Sequence, residues 1–431
     1  MFDLSFSPYT LRQEHHYALD QMDVLNGCLF ITGKAGTGKS TLIQLFRKLT
    51  QKRVIFLAPT GVAAVNIKGQ TIHSFFKFPP NWFSTKDYKL ISKKHFEKID
   101  LIFIDEISMV RADLLDHIDQ LLRISSGNPL PFGGKAMLWT GDLFQLPPVL
   151  TGGEEKEYFS KIYESPYFFS SKVFKSLVNF EMIELEEVFR QKDRSFLNLL
   201  HKIRMNEVDD DDLEEINARY NPLQITVDDQ LVLTLTSTNQ SAQLINSAKL
   251  SQLHTPEKIY KANVTGQIAN SQFPADEFLI LKEGAQIIML RNDPAKRFVN
   301  GSLGIITKLN EKTVEIKLED AIKPIEVERF NWEIIKYKLT DGKDAEIKTE
   351  VIGSFSQFPI RLAWAMTIHK SQGKTFDRVN IDLGHGAFEH GQAYVALSRC
   401  KTLEGIKLAQ RLHWKDIRTD ERVIDFIRRF Q

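Results

Sequence analysis

Gly33-Lys34-Ala35-Gly36-Thr37-Gly38-Lys39-Ser40 is the run whose residue types and spacing specify chemistry most directly. Its glycines let successive backbone N–H groups converge on phosphate oxygens, Lys39 offers a cation to the terminal phosphates of ATP, and the Ser40 hydroxyl is a magnesium ligand. A helix starting at Lys39 adds the positive end of its dipole. The bland alternative, a glycine-rich turn, does not account for the apolar run before it and the helical pattern after it. Asp105 and Glu106 close a second apolar run. At the C-terminal edge of a strand, where open α/β sheets place ligands, Asp105 would hold magnesium through water and Glu106 would polarise an attacking water. An isolated Asp-Glu pair is more often a solvated strand end. Gly141-Asp142-Leu143-Phe144-Gln145-Leu146-Pro147-Pro148 closes another strand; Gln145 could there touch both a γ-phosphate and a segment that contacts nucleic acid, whereas the bare motif reads as a proline-stopped turn.

These groups can meet only if their strands share one sheet. Residues 29–32, 54–58, 101–105 and 136–140 are short runs of the kind that buried parallel strands use, and helices are expected at 39–49 and 112–123. Such a βαβα series gives an α/β domain. The pattern returns with strands at 231–235, 361–368, 379–382 and 406–409 and helices at 239–250 and 391–399, which implies a second α/β domain. Between them, residues 291–356 alternate Ile and Val with Lys and Glu (313–318, 322–327, 332–338), with turns at Asn300-Gly301 and Asp341-Gly342. That alternation predicts a small antiparallel β-barrel inserted into the second domain. Residues 152–174, rich in aromatics and charges, suit neither pattern.

The 431 residues suffice for about three domains of ordinary size. With 42% hydrophobic and 26% charged residues and no long apolar run, the chain reads as globular with no membrane partner. Asp3, Glu14, His15 and His16 occupy the region where an export signal would be basic and then apolar, so a cytoplasmic location is expected. Two cysteines, Cys28 and Cys400, make neither a disulfide framework nor a metal cluster. A net charge of +1 lacks the basic excess of a dedicated nucleic-acid binder. A single basic groove would suffice for a motor, and the acidic run from Glu207 to Glu215, itself a solvated helix start, would cancel it in the sum.

In order along the chain, Ala58-Pro59-Thr60-Gly61, Thr71-Ile72-His73-Ser74-Phe75-Phe76, Asp105-Glu106-Ile107-Ser108-Met109 and the Gly141 to Pro148 run resemble the motifs of superfamily-one helicases. Phe189-Arg190-Gln191, Ala365-Met366-Thr367-Ile368-His369-Lys370-Ser371-Gln372-Gly373 and Ala393-Tyr394-Val395-Ala396-Leu397-Ser398-Arg399 resemble the later motifs of the subgroup that moves 5′ to 3′. Leu114-Leu115-Asp116-His117-Ile118-Asp119-Gln120-Leu121-Leu122-Arg123, followed by Pro131-Phe132-Gly133-Gly134, is similar to the signature of the petite-integration-frequency (Pif) helicase family, in a compact form of bacterial or phage type that lacks the long N-terminal extensions of its eukaryotic members.

The resemblance spans almost the whole chain and implies an α/β fold of two RecA-like domains, 1A over 1–63 and 79–185 and 2A over 186–296 and 357–431. It also implies a small 1B wedge over 64–78 and an SH3-like 2B insertion over 297–356. It implies an ATP-dependent, magnesium-dependent DNA helicase acting as a monomer on single-stranded DNA and on 5′-tailed duplex or structured DNA. The expected catalytic set is Lys39, Glu106, Gln145, Arg190 and Arg399. Nucleotide contacts are expected from Gln13, Gly33, Ala35, Gly36, Thr37, Gly38, Lys39, Ser40, Thr41 and Gly373, and magnesium contacts from Ser40 and Asp105. Gln13 stands in for the family's adenine-reading Gln, whose register falls at His15 here. Thr60, His73, Phe75, Phe76, Asn300, Thr367, His369 and Lys370 are the expected DNA contacts, through phosphate bonding and base stacking. A packed hydrophobic plug is the competing reading for the rings, and a plain hairpin turn for Asn300. A translocase or remodeller on DNA or RNA without robust duplex unwinding is the alternative function, since no motif here identifies a contact to the 2′-hydroxyl.

Overall fold

The computed structural model describes residues 11–79, 84–150, 153–189, 191, 193–222, 231–266, 268–319, 321–339 and 347–430. The first sheet has β1 (Cys28–Gly33), β2 (Val54–Ala58), β3 (Gln70–Thr71), β4 (Leu101–Ile104), β5 (Ala136–Thr140) and β6 (Phe180–Leu185). Their spatial order is β3-β2-β4-β5-β1-β6, with every pairing parallel. Every residue of β1, β2 and β4 is buried, so unbroken apolar runs marked these central strands. The two edges gave less signal. β3 is two residues long, and β6 carries Glu181 and Glu184 between apolar neighbours.

Asp116 and Asp119, within the run that resembles the family signature, are buried and hold the surrounding chain. Asp116 accepts from the Tyr163 hydroxyl at 2.9 Å and from the N–H groups of Lys172 and Val173. Asp119 accepts from Arg123 and from the Phe132 N–H. Residues 152–174, which the pattern left unassigned, thereby contribute the helix Gly153–Ile162 and the short turns Phe168–Ser170 and Lys172–Lys175.

The second parallel sheet has the order Ala365–Thr367, Leu233–Thr236, Val379–Asp382, Ile406–Leu408. One continuous apolar core runs through both parallel sheets. The expected strand 361–368 divides into Ile360–Leu362, Ala365–Thr367 and a helical turn, Ile368–Ser371. Thr367 causes the break, because its hydroxyl caps that turn by accepting the Lys370 N–H.

Antiparallel strands begin at Lys258–Lys261 and continue to Ile360–Leu362, on both sides of the expected 297–356 span. Gln286–Met289 and Ile360–Leu362 belong to the five-stranded antiparallel sheet, since their apolar faces (Ile287, Met289, Ile360) pack with Ile306, Val314 and Ile316. The long hairpin Phe330–Leu339 with Ile347–Gln357 lies against the first sheet: the Tyr337 hydroxyl accepts the Phe56 N–H at 3.1 Å. The turn at Asp341-Gly342 lies outside the described residues. Residues 64–78, expected as a separate wedge, place β3 in the first sheet and bury Phe76 and Phe78 in its core. At the other end of the chain the helix Glu421–Phe430 returns to the first domain, where Phe426 stacks on Phe169 with centroids 4.6 Å apart. No helix among the described residues is long and apolar enough to cross a membrane.

Candidate nucleotide and strand site

β1 ends at Gly33 and the helix Lys39–Leu49 begins after Gly38, so the phosphate loop joins strand to helix as its chemistry requires. Gly36 and Gly38 have φ of 90° and 86°, values that side chains with a Cβ rarely adopt. A Cβ on Gly38 would also sit 3.1 Å from His15 Nε2. The Lys39 ammonium donates to the carbonyls of Gly33 (2.6 Å) and Lys34 (3.0 Å), which poises it over the loop. Thr37 is fully buried, whereas Ser40 is exposed and Thr41 half-buried on the first helical turn. Ala35 is buried beside Tyr394 of the second domain.

Asp105 and Glu106 emerge beyond β4 as expected. Asp105 accepts from the Thr140 hydroxyl at 2.6 Å. Burial raises its carboxyl above the ordinary range, against the pull of Thr140 and Lys39. Glu106 is pushed up to about 7, first by burial and then by Asp105, with Lys39 and Arg399 opposing. Its φ of 51° is left-handed, a strained setting for a side chain that recurs at functional sites. The two adjacent carboxylates at the strand end and the exposed Ser40 hydroxyl on the first turn of the phosphate-loop helix are oxygen donors of the kind a hard divalent cation such as magnesium takes. No cluster of three or more His, Cys, Asp or Glu side chains suited to a metal occurs among the described residues.

Gln145 is where the two domains meet. Its amide nitrogen donates to Asp142 at 3.1 Å, and its amide oxygen accepts from Gln372 of the second domain at 3.2 Å. Arg399 is fully buried and donates to the Val395 carbonyl (2.9 Å), the Ser398 hydroxyl (2.8 Å) and the Ser371 carbonyl. Its guanidinium therefore rests within the second domain while its charge still reaches Glu106. Arg190 lies outside the described residues. Its neighbour Gln191 is buried and donates to the carbonyls of Ser398 and Cys400, tying this motif to the arginine-bearing turn.

Three expectations need correction. Gln13 is exposed at the start of the helix Gln13–Val24, and it is His15 that meets the loop. His15 Nε2 donates to the Thr37 carbonyl at 3.0 Å and its ring tilts against Phe189. Phe76 is a core ring, 1% exposed and stacked on Phe78 at 5.4 Å, so the plug reading holds for it. Asn300 accepts from the Lys374 ammonium and donates its own N–H to the Asn292 side-chain oxygen at 2.7 Å, the bonds of a structural turn residue.

The remaining strand candidates form two sets. Thr60 caps the helix Gly61–Asn66, and His73 and Phe75 are half-buried on Ile72–Phe76, with the hairpin's Tyr337 edge-on to Phe75. Burial and Arg111 hold His73 below the usual histidine range. On the second domain Thr367 is the buried cap, His369 pairs with Glu389 at 3.3 Å, and Lys370 is exposed. Gly373, exposed with φ of 75°, follows Gln372 directly. Gln191, Gln372, Tyr394 and Thr140 were missed as site residues; the first three lie inside the motifs themselves, the only sequence signal for them.

Two parallel sheets sharing a cleft, with a phosphate loop on one and a buried arginine on the other, define a P-loop NTPase with two RecA-like domains. The PIF1-like helicase model matches residues 11–214, and the model of the DNA helicase Pif1 2B domain matches residues 267–309. The chain is 32% identical to the ATP-dependent DNA helicase PIF1 of Xenopus laevis over 98% of its own length, and spans 65% of that protein. It is 31% identical to the ATP-dependent DNA helicase Pif1 of Bdellovibrio bacteriovorus, covering 94% of this chain and 88% of that one. Crystal structures of Pif1 from Bacteroides sp., 37% identical, cover 98% of this chain and 97% of theirs; the TM-score is 0.90 for the ADP-AlF4 complex and 0.69 for the form bound to single-stranded DNA. The chain belongs to the Pif1 helicase family.

Proposed function

We propose that this chain is an ATP-driven motor that moves 5′ to 3′ along single-stranded DNA and separates duplex or structured DNA. The observation that carries this reading is the Gln145 amide, held on one side by Asp142, whose charge reaches Glu106, and bonded on the other to Gln372, in the same motif as Thr367, His369 and Lys370. A side chain so placed senses the nucleotide and the strand together. Lys39 exchanges its two loop carbonyls for terminal phosphate oxygens when ATP binds. Glu106, held near neutrality, takes a proton from the attacking water. Arg399 lies close enough to act on the cleft's charge once the domains close, and Arg190 is assigned the same role from its motif. Ser40 and Asp105 would hold magnesium, which supplies neutralisation of the phosphate charge when bound. Thr60, His73 and Phe75 on one domain and Thr367, His369 and Lys370 on the other grip the strand in alternation.

The test is ATP turnover with and without an oligothymidylate, in parallel with Lys39→Ala. Stimulation by the oligonucleotide, lost in the variant, supports the motor. Turnover indifferent to single strands rejects it.

A further inference from the structure

Arg204 is 2% exposed on the helix Arg194–Met205, at the join between the two domains. It donates to Glu184 of β6 at 2.9 Å, and its Nη2 faces the Asp142 carboxylate at 3.7 Å. Its guanidinium lies 4.0 Å from the Phe144 ring centroid. A charge this deep persists only with compensating carboxylates. The dependence is mutual, for Asp142 is 1% exposed.

Asp142 in turn sets the orientation of one amide. A carboxylate only accepts, so the NH2 end of Gln145 must face it and the oxygen must face Gln372, whose own NH2 donates. Inverting the Gln145 amide would oppose two donors across the domain boundary. Second-domain groups surround this turn. The Gly391 Cα is so close that a Cβ there would lie 2.4 Å from the Phe144 carbonyl oxygen, and the helix bearing Arg204 is tied at its C-terminal end by the Thr419 hydroxyl.

We propose that Arg204 is a positioning residue that couples nucleotide state to strand affinity, acting through Asp142 and Gln145 on Gln372. The proposal rests on the motor reading above and adds a residue that none of the motifs contains. Closure of the cleft moves Arg204 with the second domain, and the contact it keeps or yields with Asp142 fixes or frees the Gln145 amide. Coupling of this kind changes an affinity by roughly 5- to 150-fold.

The experiment measures the dissociation constant for a fluorescein-labelled oligothymidylate with ADP and with a non-hydrolysable ATP analogue, together with the KM for ATP without DNA. In the unaltered protein the two constants differ within the range above. In Arg204→Met the ratio collapses to below about 2-fold while the KM for ATP stays within about 3-fold, a split that general loosening of the fold would not produce. Arg204→Lys, which keeps the charge and loses the planar fork, restores part of the ratio. Gln372→Ala, at a half-buried position, collapses the ratio with an unchanged melting temperature, and decides the matter if Arg204→Met does not fold. The double variant loses no more than either single one, because both lie on one route. A full ratio in either single variant, or additive losses in the double, overturns the proposal. If the unaltered protein shows neither a ratio nor DNA-stimulated turnover, the motor reading fails and the coupling role falls with it.

Discussion

Phe426→Ala tests how the end of the chain joins the two domains. The ring is 4% exposed and lies nearly parallel to Phe169, 4.6 Å away with 13° between planes. Phe168, Phe174 and Phe430 follow at 5.8, 5.5 and 5.1 Å. Removing a buried Phe side chain costs about 3–5 kcal/mol through lost transfer energy and the cavity left behind. Here a cleft of about 520 Å³ already opens beside Phe169, Phe174, Phe180 and Phe430, so water can enter the space vacated. That relief places the loss at the lower end, about 3 kcal/mol. Because these rings surround Trp139, with Phe168 5.4 Å from it, near-ultraviolet circular dichroism during urea unfolding reports the cluster directly. The first transition should move to lower urea with little change in slope. A loss below about 1 kcal/mol would refute the claim that this helix clamps the first domain.

Three further outcomes follow from the site. Glu106→Gln should bind ATP normally and hydrolyse it about 10²–10⁴ times more slowly, as single-turnover kinetics would reveal; near-normal turnover would remove Glu106 as the base. Gln191→Ala leaves the carbonyls of Ser398 and Cys400 without their buried donor, so about 1–3 kcal/mol of stability and part of kcat should be lost with KM little changed, measured by unfolding and steady-state kinetics. Lys374 is lowered to about 8, first by burial and then by Arg361. Below that value the ammonium is charged both folded and unfolded and the cost of burying it is present in full; above it only the unfolded chain keeps the proton, so stability rises with pH. Relative to Lys374→Met, the unaltered protein should gain on the order of 1–2 kcal/mol between pH 7.5 and 9.5 in urea titrations, and a flat difference would contradict the shift.

What could be read from the residues was local chemistry. The phosphate loop, the Asp105-Glu106 pair and the fully buried central strands each depend on neighbours within a few positions, and each lies where its pattern puts it. β3, with two residues, and β6, with two glutamates three positions apart at the sheet edge, carry too little periodicity to announce themselves. Arg204 is invisible for a different reason. On an amphipathic helix a buried arginine looks like a surface one until Glu184 and Asp142 are brought beside it. The same holds for His15, two positions from the exposed Gln13 but one face of the helix away. Asn300 shows the converse, since its turn was legible and its partner Lys374, 74 positions on, was not.

Strand separation is the most direct test of the central claim. A duplex carrying either a 5′ or a 3′ single-stranded tail would be given to the protein with ATP and magnesium, beside Lys39→Ala. The account predicts unwinding from the 5′ tail alone, abolished in the variant. Unwinding from the 3′ tail, or from neither despite DNA-stimulated hydrolysis, would contradict it.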